Sequence, residues 1–144
     1  MLTILLVCQH GLANNDDYQS KEYWQTLADR IKEDPNLVIK KARRLQQQFK
    51  QEHQRYNELQ AMAVLSSALV ATSQLDHAEM VINEGLARVD HAGSSWLKLQ
   101  FLRDQILLAH ERGQWQQVIV LSSHALALAE QANMPQMIAH FLHN

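Results

Sequence analysis

Residues 74–131 carry one segment written twice, forty positions apart, and that repetition restricts the possible folds more than anything else in the chain. Gln74-Leu75-Asp76-His77-Ala78 corresponds to Gln114-Trp115-Gln116-Gln117-Val118. An apolar ladder follows each start: Ala78, Val81, Gly85, Leu86 and Val89 in one copy, Val118, Leu121, Ala125, Leu126 and Ala129 in the other. These spacings return to a single face of a helix with about 3.6 residues per turn. Helix pairs at such a period stack side by side, each burying a face that its neighbour supplies. The expected fold class is therefore all-α, a stack of helical hairpins.

Composition agrees with long helices and short turns. Of 144 residues, 47% are hydrophobic, while only four Gly and two Pro punctuate the chain, too few for a turn-rich sheet protein. The formal net charge of −2 gives no global field for nucleic acid or anionic lipid. The local run Lys40-Lys41-Ala42-Arg43-Arg44 reads as the wet side of a helix, diluted by Glu33, Asp34 and Glu52; nucleic acid is not an expected partner. Cys8 stands alone and cannot form an internal disulfide.

Residues 1–13 resemble a signal peptide or its remnant. Leu2 to Val7 is apolar, and Gly11 and Ala13 put small residues before a cut ahead of Asn14, although no basic residue precedes the run. The run is too short to cross a bilayer, which needs about 20 apolar residues. A periplasmic location is expected on this reading; the alternative is a cytoplasmic protein with a buried N-terminal segment.

A helical lead-in pair is expected over residues 14–53. Ser20 can cap a helix bearing Tyr23, Trp24, Leu27, Ala28 and Ile31, which ends before Pro35; a second runs from Asn36 to Gln51 with Leu37, Val38, Ala42, Leu45 and Phe49 inward. A third helix, His53–Ser73, with Tyr56 among its inward residues, is uncharged from Ala61 to Thr72, which implies burial on more than one side. Helices over Asp76–His91, Trp96–Arg112, Gln114–Ala132 and Gln136–Asn144 follow, separated by the Gly93 turn, Gly113 and Pro135. The repeats then fall at 54–93, 94–133 and an incomplete 134–144. Ala139, Phe141 and Leu142 fall on Leu99, Phe101 and Leu102. An apolar, unfinished last unit implies a truncated chain or an end covered by something else.

The repeats resemble tetratricopeptide repeats. The resemblance rests on the turn Gly113-Gln114-Trp115, matched loosely by Ser73-Gln74-Leu75. It rests also on the paired small sites Ala78 and Gly85, then Val118 and Ala125, and on Leu86 and Leu126 after them. Ser66 and Ile106 replace the usual first-helix glycine, Leu69 and Ala109 the tyrosine, and the period is longer than the standard one. The resemblance implies a right-handed superhelical stack of about three antiparallel hairpins plus the start of a further one, with Trp115 packed at the turn. It implies a module that binds a protein, a peptide or a small ligand. The chain is also similar, more distantly, to periplasmic sensor regions of GGDEF-type diguanylate cyclases. That likeness implies a membrane helix and catalytic domain beyond Asn144, the only route to membrane contact. A stand-alone cytoplasmic scaffold or regulator is the alternative.

No catalytic residue, metal site or cofactor is expected. His140 and His143 have a ligand-like spacing, but no Cys or carboxylate lies near them. The glycines form no phosphate-binding loop, and nothing gathers a nucleophile with a base and an orienting carboxylate. If first helices line the inner face of the stack, the candidate groove residues are Asn57, Gln60, Ser67, Trp96, Gln100, Arg103, Asp104 and Leu107.

Overall fold

The computed structural model of the chain describes residues 16–142. They form helices α1 (Lys21–Asp29), α2 (Pro35–Gln51), α3 (Arg55–Ala71), α4 (Leu75–Ala92), α5 (Ser95–Glu111), α6 (Trp115–Gln131) and α7 (Pro135–Leu142), with a 3-10 turn at Arg30–Lys32 after α1. No strand occurs among the described residues. No helix among them is long and apolar enough to cross a membrane. The signal-peptide segment 1–13, with Cys8, and the residue His143 lie outside the described residues.

The period of forty divides into two equal halves. From Pro35 onward helices begin at Arg55, Leu75, Ser95, Trp115 and Pro135, and a left-handed residue follows each of α2 to α6: His53, Ser73, Gly93, Gly113 and Asn133. The backbone explains this regularity. Gln54 N–H donates to Phe49 O at 2.9 Å while His53 N–H donates to Lys50 O at 3.3 Å, and Gln74, Gln114 and Met134 donate likewise to Leu69, Ala109 and Ala129. This pair of bonds satisfies carbonyls that the helix end leaves open, and requires positive φ at the penultimate residue. Gln54, Gln74 and Gln114 then accept the first bond of the next helix from Glu58, Ala78 and Val118. One residue thus closes a helix and opens its successor. Ser20, Asp34 and Ser94 cap α1, α2 and α5 through side-chain oxygens.

Consecutive helices from α2 to α7 pack on one another, and α3 also packs on α1 and α5. The alternate helices α1, α3 and α5 are therefore neighbours, and α3 is enclosed on several sides. Asn57 to Ser66 and Ala68 to Val70 are all buried, which accounts for the absence of charge after Glu58. Three apolar clusters run through the molecule, the first around Trp24, Leu45, Phe49 and Ile82, the second around Met62, Val89 and Phe101, the third around Leu102, Ala125 and Met137. Leu86 packs against all three and Val81 against the first two, so the oily seam is continuous across the Gly93 turn. Gly85 meets the Phe101 ring so closely that a Cβ there would lie 2.4 Å from two ring carbons. Leu37 and Tyr56, expected inward, are instead 41% and 44% exposed; Ile39, rather than Leu37, fills the buried position beside Val38.

A candidate binding trough between alternate helices

Helices α1, α3 and α5 lie side by side and bring three rows of side chains together. Lys21, Trp24, Gln25 and Ala28 come from α1, Gln60, Ala63, Val64 and Ser67 from α3, and Trp96, Gln100 and Arg103 from α5; they line a narrow cleft of about 40 Å³. Beside it lies a wider recess of about 420 Å³, lined by Gln19, Lys21, Tyr56, Gln60, Trp96, Met134, Pro135, Gln136 and Met137. Lys21, Gln60 and Trp96 line both, so the two form one trough. The Lys21 ammonium stands 4.0 Å from the centre of the Trp96 ring, a cation–π contact that joins α1 to α5 across α3.

Arg103 is set in place by a buried acid. Asp104 is fully buried, and a carboxylate without water needs donors on its oxygens. Ser67 donates to it at 2.8 Å, Ser66 donates to the same oxygen, and the Arg103 Nε and Nη2 groups donate to the other at 3.2 and 3.0 Å. Arg103 Nη2 also donates to Ser67 Oγ at 2.8 Å. The α3 serines therefore tie α3 to α5 and fix the guanidinium at the edge of the cleft. Among the described residues no carboxylate lines either part of the trough, while Lys21 and Arg103 supply two cations. Its polar rim consists of glutamines and these cations over Trp24, Tyr56, Trp96 and two methionines. Such a surface offers amide and cationic donors over an apolar floor.

Of the groove residues expected from sequence, Gln60, Ser67, Trp96, Gln100 and Arg103 converge here. Asp104 lies beneath the surface and acts through Arg103. Asn57 is 3% exposed and belongs to another recess, with Gln54 and Asp16; its amide donates to Gln54 at 2.8 Å. Leu107 faces solvent and lines neither part. The contributions of α1 and of Met134 to Met137 were not readable from sequence, because nothing local in those segments points toward Trp96.

Among the repeat residues, Ala78, Gly85 and Ala125 are buried, Leu86, Val118 and Leu126 half-buried, and Gly113 takes the left-handed turn position. Trp115 corrects the sequence reading: it is 58% exposed, its ring set edge-to-face with that of His110 at 5.0 Å between centres. Its counterpart Leu75 is packed against the first cluster with Leu108 of α5, whereas α7 packs with Ala125 and Ala129 near the other end of α6.

A second buried acid holds the opposite side of α3. Glu58 accepts two bonds from Arg88 of α4, at 2.9 and 2.7 Å, and Glu84 accepts a third at 3.1 Å. Near the trough, partial desolvation and the Arg103 cation hold the His140 imidazole below its usual pKa. On the far side of α1, burial raises the Tyr23 phenol above its ordinary range. No protein-family model matches the chain, and no curated protein or solved structure matches it.

Proposed function

We propose that the chain is a non-catalytic recognition module of tetratricopeptide-like architecture, its antiparallel hairpins wound into a right-handed superhelix, and that it holds an extended peptide segment of a protein partner in the trough. The observation that carries this reading is the meeting of Lys21, Gln60 and Trp96, from three different helices, at the junction of the cleft and the wider recess. Glutamine amides suit the peptide backbone, the aromatic and methionine floor suits an apolar side chain, and the Lys21 ammonium, seated on the Trp96 ring, suits a polar or acidic neighbour. The charged groups nearest the cleft are committed to holding helices together, which favours binding over chemistry. As part of the same proposal, the module serves in the periplasm as the input region of a larger bacterial signalling protein; its support there is the sequence of residues 1–13 alone.

Selection of a random peptide library displayed on phage against the folded chain tests the proposal. Enriched peptides should bind the native chain and lose at least tenfold in affinity against Trp96→Ala, with Gln100→Ala giving a smaller loss. Failure to enrich any sequence, or enriched peptides indifferent to Trp96→Ala, would reject the trough as the site.

A further inference from the structure

The recess that holds Asn57 has a volume of about 500 Å³ and is lined also by Asp16, Asp17, Tyr18, Gln19 and Gln54. Gln19 lines the wider part of the trough as well, so the two meet at that side chain. Their characters are opposite, since this recess brings carboxylates where the trough brings cations. Asn57 is its unusual member. The residue is 3% exposed, and its buried Oδ1 receives no donor among the described residues. A chain of bonds fixes which end of the amide this is. A carboxylate oxygen only accepts, so the Gln54 group facing Glu52 at 2.9 Å is the amino group. The Gln54 oxygen then faces Asn57 at 2.8 Å, and Asn57 must present its own amino group there. Its oxygen is left as an acceptor in the wall of the recess. Buried acceptors without a donor are rare and costly, and one beside two carboxylates calls for a donor from outside the chain.

We infer that this recess takes a primary ammonium group of the bound peptide, its α-amine or the end of a lysine side chain, with Asn57 Oδ1 and the Asp17 carboxylate as acceptors; the inference rests on the peptide reading above. An ammonium carries three donors and no acceptor, which suits a wall of carboxylate and amide oxygens. The charge also matches. Asp16 is shared with the Lys41 ammonium at 3.9 Å and the Tyr18 hydroxyl at 3.4 Å. Asp17 is exposed, and its Oδ1 accepts the Gln19 backbone N–H at 3.2 Å. Two carboxylates against one lysine leave a single negative charge, enough for an ammonium. A divalent ion needs a larger set of oxygen ligands and would meet the Lys41 cation. The bound peptide would then run from a positive group at Asn57, past Gln19, to an apolar residue near Trp96 and a polar or acidic one near Lys21.

Nuclear magnetic resonance of the Asn57 side-chain amide tests this without a selected peptide. The native chain is titrated with leucinamide, which carries an α-ammonium, with N-acetyl-lysinamide, which carries only the side-chain ammonium, and with neutral N-acetyl-leucinamide. At least one of the charged amides should shift the signal saturably, and the neutral one should not; the charged amide that does so identifies the source of the ammonium. Asp17→Asn, which keeps the oxygen that accepts the Gln19 N–H, should weaken that response at least tenfold, with circular dichroism checking that the helices remain. For a peptide enriched on the trough, acetylating its amines one at a time should cost at least tenfold in affinity at one of them, and far less against Asp17→Asn. An Asn57 signal indifferent to both charged amides, an equal response to the neutral one, or a peptide that tolerates acetylation of every amine would each overturn the inference, while dependence on Trp96 would leave the trough standing. A peptide indifferent to Trp96→Ala would reject the trough instead, and the small amides would still decide the recess.

Discussion

Replacing Gly85 by alanine inserts one methyl group between α4 and α5, at a point where the structure leaves no room for it. The new Cβ would stand 2.4 Å from two Phe101 ring carbons and 2.8 Å from a third, against an ordinary carbon–carbon contact of about 3.5–4.0 Å. The ring must retreat by more than an ångström, yet Phe101 is fully buried. Overpacking of this kind costs about 1–3 kcal/mol. Against it stands the gain of about 1 kcal/mol from replacing glycine inside a helix, so Gly85→Ala should destabilise by up to about 2 kcal/mol where an exposed glycine would give a gain. Urea denaturation followed by far-ultraviolet circular dichroism measures this directly. Phe101→Leu should relieve the clash, so the double variant should be more stable than the two single losses predict, by about 2 kcal/mol. The second repeat supplies a control: Ala125→Gly, at the equivalent and fully buried position, should also lose about 1 kcal/mol. A stabilised Gly85→Ala chain, or single effects that simply add, would refute the close approach of α4 to the Phe101 ring.

Three further effects follow from other parts of the molecule. Arg88→Ala leaves the Glu58 carboxylate buried without its partner; because a third of the Arg88 side chain is exposed, the loss should be about 2 kcal/mol, below that of a fully enclosed pair, and Glu58→Leu with Arg88→Leu should recover most of it in the same denaturation assay. At the turns, Gly113→Ala should cost about 1 kcal/mol through backbone strain alone, since nothing lies within 4 Å of an added Cβ, whereas Ser73→Gly, at φ 57°, should gain a few tenths to about 1 kcal/mol. His140 has a lowered pKa in the folded chain, so the unfolded chain binds its proton first as pH falls below about 6.5. Stability should fall on acidification from that point down to the lowered folded pKa, and His140→Gln should flatten the difference between urea midpoints measured at those two ends.

Helix number, helix order and the enclosure of α3 were legible in the sequence because each leaves a local mark. The ladders behind Ala78 and Val118 gave period and face, Pro35 and Pro135 gave starts, and the uncharged run Ala61 to Thr72 gave burial on several sides. The equal half-repeats were harder to see, because His53, Ser73 and Asn133 occupy the turn position that Gly93 and Gly113 signal openly. Trp115 was misread for a physical reason: a turn aromatic packs only where a following helix covers it. Glu58 with Arg88, and Asp104 with Ser66 and Ser67, join residues thirty or more positions apart, and no pattern within one helix marks such partners. The trough was half legible. The α3 and α5 faces follow from helical spacing, but the reach of Lys21 across to Trp96 depends on how α1 is laid beside α3.

The trough can be tested most directly by amide-shift mapping in nuclear magnetic resonance, with the native chain titrated by a peptide enriched in the selection. The largest changes should fall on Lys21, Gln60, Trp96 and Gln100 and on the Trp96 indole, with α2 scarcely affected. Changes centred on Lys40 to Arg44, or spread evenly over the helices with Trp96 unmoved, would show that recognition takes place elsewhere.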